Sequence, residues 1–174
     1  VYGGFNYLNF KKNGSTNVVK LNPSLKFKKN LQQKTLLMFT GITRDGSKII
    51  DKHIKLYKQG KNIEILHEIK KLTLKAKKYV LNNDLENFIK KIDDYWELKK
   101  KFNSNVTNEK IDRLILIAKK EGAHSVKLLG AGNGGHLLIF CEPKDQNQIV
   151  KKLKEHGCTK REFLYQNEGL TISN

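Results

Sequence analysis

The chain is poor in the residues that carry redox and arginine-fork chemistry: among 174 residues there are two cysteines, two prolines, one methionine, one tryptophan and three arginines. Cys141 and Cys158 stand too far apart for a C-x-x-C motif, which excludes a zinc ribbon or a thioredoxin-type centre and leaves two free thiols as the expectation. No apolar run approaches the ~18 residues of a membrane-spanning helix. No charged-then-apolar leader is visible either, so the reading is of a soluble, cytoplasmic chain with no membrane partner. The scarcity of arginine bears directly on the formal net charge of +17. A surplus of that size suggests nucleic acid, whose phosphate backbone rewards clustered cations. Base recognition favours the arginine fork, however, and Arg44, Arg113 and Arg161 are all there is, while the lysines spread along nearly every expected helix. Together with abundant Asn and Ile, this composition argues against a nucleic-acid partner and matches an AT-rich coding bias.

What is present is one dense glycine cluster between two apolar runs, Lys127-Leu128-Leu129-Gly130-Ala131-Gly132-Asn133-Gly134-Gly135-His136-Leu137-Leu138-Ile139-Phe140. Four glycines within six positions cost conformational entropy on folding, so they persist where the main chain must turn sharply or lie against something bulky or charged. Phosphate is the expected neighbour. Gly130, Gly132 and Gly135 fit G-x-G-x-x-G, but a dinucleotide fold needs a helix directly after the loop, and Leu137-Leu138-Ile139-Phe140-Cys141 reads as a buried strand. Strand, glycine loop, strand is the expected geometry.

Around this loop the chain alternates element types. Residues 4–11 and 18–21, with the turn signal Asn13-Gly14-Ser15 between them, read as a β-hairpin. Pro23 and Ser24 punctuate, and residues 35–40 read as a buried strand closed by Gly41. Helical spacing then appears three times, over Ile49 to Tyr57, Ile63 to Val80, and Leu85 to Phe102, with Asn62 and Asp84 as expected N-caps. A fourth helix carries Ile111, Leu114, Ile115 and Ala118 behind a Thr107 cap, and a fifth comes after Glu142-Pro143. Phe163-Leu164-Tyr165 and Leu170-Thr171-Ile172 read as two last strands. The pattern predicts an α+β fold in which an antiparallel sheet packs on a layer of helices. Because Val1 is not an initiator methionine, the chain is expected to be a piece of something longer.

Four stretches carry a family resemblance: Tyr2-Gly3-Gly4-Phe5-Asn6; Leu37-Met38-Phe39-Thr40-Gly41-Ile42-Thr43-Arg44; Tyr95-Trp96-Glu97-Leu98-Lys99-Lys100-Lys101-Phe102 continuing to Thr107-Asn108-Glu109-Lys110-Ile111-Asp112; and Lys127-Leu128-Leu129-Gly130-Ala131-Gly132. Together they resemble the GHMP small-molecule kinases, and within them the C-terminal half of kinases acting on D-glycero-D-manno-heptose 7-phosphate. The resemblance implies a ferredoxin-like C-terminal domain over residues 31–174. It implies that residues 1–30 are a trailing β-hairpin of a missing N-terminal kinase domain, the partner of this one. The implied activity is transfer of the ATP γ-phosphoryl group to a heptose 7-phosphate or related sugar, for surface-polysaccharide precursors, with ATP and Mg²⁺ as cofactors. The family's nucleotide loop, of Pro-x-x-x-Gly-Leu-Ser-Ser type, and its catalytic Asp lie outside these residues. No catalytic residue is therefore assigned, and the fragment alone is expected to be inactive. Asn133 and His136 depart from the unbroken glycine run and aromatic of the heptose-type loop.

On this reading Gly130, Ala131, Gly132, Asn133, Gly134 and Gly135 brace the phosphate-binding loop, and Arg44, Lys127 and Trp96 are candidate substrate contacts. Each has a plainer alternative: a tight turn for the glycines, a surface arginine, a solvated strand lysine, and a core tryptophan beside the solvated Lys99 and Lys100. His136 reads as a satisfied, partly buried side chain rather than an acid or base. Asp93 and Asp94 read as a helix-face pair, because neighbours on a helix diverge by about 100°, and no metal ligands are assigned. Two other function classes stay open, a non-catalytic module that holds an anion on the same loop and a basic nucleic-acid-binding domain.

Overall fold

The structure, a computed structural model, describes residues 2–43 and 46–170. The N-terminal hairpin forms as expected: β1 (Phe5–Phe10) pairs antiparallel with β2 (Thr16–Leu21), from Phe5 opposite Leu21 to Phe10 opposite Thr16. It is a two-stranded sheet of its own. Its inner side chains Phe5, Tyr7 and Leu21 join an apolar cluster with Phe27, Leu31 and Phe140.

The next element, α1 (Leu25–Gln33), was not anticipated from the sequence. The Ser24 hydroxyl caps it by accepting from the Phe27 N–H at 3.2 Å, and Phe27 and Leu31, one turn apart, bury its inner stripe. The expected strand comes next as β3 (Thr35–Phe39), and then α2 (Ser47–Lys58), α3 (Ile63–Leu81) and α4 (Leu85–Phe102). Asp84 caps α4 as expected, its carboxylate accepting from the Asn87 N–H at 3.1 Å. Asn62 does not cap α3. It sits at φ 58°, and its side-chain amide donates instead to the Phe102 carbonyl at 3.1 Å.

A 3₁₀ turn, Ser104–Val106, leads to α5 (Glu109–Lys120), capped by Asn108 rather than Thr107: Asn108 Oδ1 accepts from the Ile111 N–H at 3.0 Å, whereas the Thr107 hydroxyl donates to Asp112. Strands β4 (Ala123–Leu128) and β5 (His136–Cys141) flank the glycine loop. A short turn, Pro143–Asp145, opens α6 (Gln146–Glu155), and β6 (Thr159–Arg161) is the last strand among the described residues. The strand expected at residues 163–165 is absent: the chain there is irregular, with the Phe163 and Tyr165 rings packed edge to face at 5.3 Å. Of the other expected strand, Leu170 is irregular, and Thr171 and Ile172 lie outside the described residues.

The main sheet has the order β4-β5-β3-β6, and every neighbouring pair is antiparallel. β3 and β4 are joined through helices, as are β5 and β6 through α6, which is the ferredoxin-like order that the resemblance implies. Alternation sends Leu36, Met38, Val126, Leu128, Leu137 and Ile139 to one face, where Ile111, Leu114, Ala118, Ile149 and Leu153 from α5 and α6 cover them. This is the expected sheet on a helical layer. The opposite face, through Leu138 and Phe140, meets the cluster of α1, α4 and the hairpin.

The outer edge of β4 is closed by α4. Asp93 accepts from the Ser125 hydroxyl at 2.9 Å and from the Val126 N–H at 3.1 Å, and it pairs with Lys119. Asp94 turns away to Lys91 at 2.6 Å. The two carboxylates therefore have separate tasks, and one of them protects a sheet edge.

Candidate functional site

Residues 130–135 join β4 to β5 at the end of the sheet where β3 also stops, since Phe39 pairs with His136. Backbone conformation explains their composition. Gly130 (φ 75°), Gly132 (120°), Asn133 (59°), Gly134 (148°) and Gly135 (98°) all lie in the left-handed region, where a Cβ is costly and Asn is the best-tolerated alternative. Close approach is the second reason. A Cβ on Gly132 would stand 2.6 Å from the Cα and the carbonyl oxygen of Val106, and one on Gly134 would stand 2.9 Å from the Cγ2 and the carbonyl oxygen of Ile42.

These approaches are used. The Asn133 N–H donates to the Val106 carbonyl at 2.6 Å and the Gly135 N–H to the Ile42 carbonyl at 3.0 Å. In return the Gly135 carbonyl accepts from both the N–H and the hydroxyl of Thr40, at 2.9 and 2.8 Å. The Asn108 side-chain amide donates to Asn133 Oδ1. Lys99 Nζ, on the last turn of α4, donates to the Gly130 carbonyl at 2.8 Å. The loop is thus clamped between the end of β3, the 3₁₀ turn and α4. Among the described residues the N–H groups of Gly130, Ala131, Gly132 and Gly134 meet no acceptor.

The single-residue candidates fall in different places. Trp96 is 2% exposed and belongs to the main core, with the Lys99 ammonium 5.8 Å from its ring centroid. Its indole N–H, like Nδ2 of Asn103 and Nε2 of His53, is buried without a partner among the described residues. His53 packs against Phe102, and burial, aided by the Lys99 charge, holds its pKa below the ordinary histidine value. Lys99 is therefore not the solvated lysine expected from the sequence but a clamp on the loop.

Lys127 departs from expectation too. It is half-buried, its ammonium lies 4.4 Å from the centroid of the Tyr95 ring, and burial pushes its pKa down. It points away from the loop's clamp, into a cavity beneath α3 and α4. His136 is half-buried with its ring 5.1 Å from that of Phe39. Arg44 lies outside the described residues.

Sequence reasoning missed Val106, Ile42 and Thr40 as loop anchors. The first two act through backbone carbonyls, which carry no side-chain signature; Thr40 offered a weak signal as a hydroxyl at a strand end before Gly41.

Residues 76–157 match the family model described as GHMP kinases C terminal. Over this segment the chain is similar to the C-terminal domain of GHMP kinases. The matched segment encloses Trp96, Lys99, Lys127 and the glycine loop, while Thr40 and Ile42 stand outside it. A D-glycero-alpha-D-manno-heptose 7-phosphate kinase from Campylobacter jejuni is 31% identical, over 97% of this chain and 50% of that protein. The crystal structure of a Campylobacter jejuni protein described as a sugar kinase superposes with a TM-score of 0.73 at 28% identity, covering 97% of this chain and 47% of that one. A D-glycero-D-manno-heptose 1-phosphate kinase from Bacteroides thetaiotaomicron shares the fold, with a TM-score of 0.66 at 23% identity over 99% of this chain and 47% of that one. The chain spans about half the length of these relatives. No helix among the described residues is long and apolar enough to cross a membrane.

Proposed function

We propose that this chain is the C-terminal half of an ATP-dependent GHMP-type kinase that phosphorylates a heptose 7-phosphate, a step toward surface-polysaccharide precursors. In this reading residues 31–174 form the C-terminal domain and residues 1–30 the last hairpin of an N-terminal domain. That domain brings the nucleotide loop and the catalytic Asp, and the chain by itself is inactive. The observation that carries the reading is the clamped loop: its backbone is held from three sides, four of its N–H groups meet no acceptor among the described residues, and the Lys99 ammonium is bonded at its start. Phosphoryl transfer is catalysed mainly by placement and charge compensation, which such a backbone supplies to a phosphate lying beside it. The 31% identity to the Campylobacter jejuni heptose 7-phosphate kinase, extending over 97% of the chain, supports the substrate class.

Gly130, Ala131, Gly132, Asn133, Gly134 and Gly135 brace the phosphate-binding loop that the N-terminal domain supplies. Arg44 is assigned a bidentate grip on the sugar phosphate. Trp96 serves that side only through Lys99, because its ring is in the core. Among the described residues no three His, Cys, Asp or Glu side chains converge to hold a metal. The Mg²⁺ that accompanies ATP in such kinases is assigned, with the nucleotide loop, to the rest of the protein.

The test is sugar-dependent ADP release by the whole protein with ATP and D-glycero-D-manno-heptose 7-phosphate, with ³¹P NMR of the product. Turnover is expected, and Gly132→Val lowers kcat at least ~10-fold by displacing the loop. Absence of ADP release with this sugar and with other sugar phosphates overturns the proposal.

A further inference from the structure

A cavity of about 460 Å³ lies on the sheet face opposite the main core, under α3 and α4, and it shares no lining residue with the glycine loop. Its walls are apolar: Leu31 from α1, Leu72 from α3, Ile92 from α4, and Leu138 and Phe140 from β5. Two lysines reach it. Lys91 is already neutralised by Asp94 at 2.6 Å, so it offers no free charge. Lys127 has no carboxylate within salt-bridge distance among the described residues; its ammonium rests on the Tyr95 ring, and the Tyr95 hydroxyl has no hydrogen-bond partner among them either.

A half-buried ammonium that faces an apolar chamber without a counter-charge is an expensive arrangement, because desolvation is not offset by an ion pair. Burial accordingly lowers the Lys127 pKa, and it raises that of Tyr95, which stays a neutral donor. An anion seated there restores the lost partner.

We infer that this cavity is a binding site for an amphipathic monoanion, whose carboxylate pairs with Lys127 and the Tyr95 hydroxyl and whose hydrocarbon body lies against Leu31, Leu72, Ile92, Leu138 and Phe140. The size suits a small organic molecule rather than a macromolecule. One unpaired cation within greasy walls selects against inorganic phosphate, whose second charge and hydration shell the site does not replace. This separates the cavity from the loop, where backbone N–H groups and not hydrocarbon are on offer. The site does not depend on the kinase reading.

Calorimetric titration of the whole protein with decanoate tests it, with decanol as the neutral counterpart, 1-naphthoate as an aromatic acid and inorganic phosphate as the bare anion. Decanoate, naphthoate or both are expected to bind one per chain, at least ~10-fold tighter than decanol, and phosphate not to compete. K127M, which removes the charge but keeps the volume, is expected to weaken the acids at least ~10-fold and to leave decanol unchanged. Ala76→Phe, which fills the chamber from the α3 side with the sheet untouched, abolishes both, and far-ultraviolet circular dichroism confirms that the variants are folded. Equal binding of decanoate and decanol, an unchanged acid affinity in folded K127M, phosphate competing at equal strength, or no acid binding at millimolar concentration overturns the inference.

Discussion

Replacing Gly132 by alanine tests the two reasons for glycine in the loop. The residue sits at φ 120°, and a Cβ would stand 2.6 Å from the Val106 Cα and carbonyl oxygen and 2.7 Å from its Cβ. Strain at such a φ costs about 1–3 kcal/mol. The steric overlap adds about 1–3 kcal/mol, because Val106 is 0% exposed and has no room to retreat. Gly14 provides the control: it also has a positive φ, 81°, but nothing lies within 4 Å of its ideal Cβ, so its alanine variant incurs the conformational cost alone. The difference between Gly132→Ala and Gly14→Ala therefore reports the clash together with the extra strain of φ 120° over 81°. It is expected at ~2 kcal/mol, or roughly 4–8 °C in Tm for a chain of this size. Urea and thermal unfolding of both variants, followed by circular dichroism, measure it. Backbone N–H exchange at Asn133 should also accelerate in Gly132→Ala, since its bond to the Val106 carbonyl must lengthen. If the two variants are equally stable, the loop does not press on Val106 and the clamp is wrong.

Two further outcomes are expected. Asp93→Ala leaves the Val126 N–H and the Ser125 hydroxyl without their acceptor and Lys119 without its partner, so urea unfolding should show a loss of about 1–3 kcal/mol; undiminished stability would mean that the helix does not close the strand edge. Burial first, and then the nearby Asp145 and Glu142 charges, push the Cys141 thiol from 9.0 up to about 12. The folded chain then keeps a proton that the unfolded chain releases, so stability is complete below about pH 9 and falls as pH rises toward 12. Cys141→Val should flatten that alkaline slope, and iodoacetamide should leave native Cys141 unmodified at pH 8; rapid native alkylation would contradict its burial.

The parts legible in the sequence were those whose side chains report their burial. β5 and β3 announce themselves through unbroken apolar runs, and α3 and α5 through helical spacing, because each packs a stripe or a face on the core. α1 escaped notice because Phe27 and Leu31 are its only core residues, standing among Lys26, Lys28 and Lys29. β6 was invisible for a different reason. Thr159, Lys160 and Arg161 are all exposed, and the strand exists because the open edge of β3 offers hydrogen bonds to any backbone. Phe163 and Tyr165 looked more like a strand, yet their backbones bond to the Gln32 side chain of α1, and their rings pack on one another and, for Tyr165, on Phe5.

The glycine loop was legible as a whole while its attachments were not. Lys99 is one of three consecutive lysines, and only the third dimension distinguishes the one that reaches Gly130 from Lys100, which pairs with Glu97. Lys127 was misjudged in the same way: alternation along β4 indicates a face but not whether that face is wet.

The loop's clamp also ties its shape to the completeness of the fold around it. Its bonds tie residues 133–135 to Thr40 and Ile42 near one end of the chain and to Val106 in the middle, across stretches of sequence that include four helices. The Thr40 and Ile42 bonds require β3 to lie beside β5, and the Asn133 bond requires Val106 of the 3₁₀ turn to be in place, so the loop's shape rests on contacts far apart in sequence. Any step that needs the loop's backbone in place is thereby withheld from partly folded chains, and the loop serves as a built-in check that the domain around it is complete.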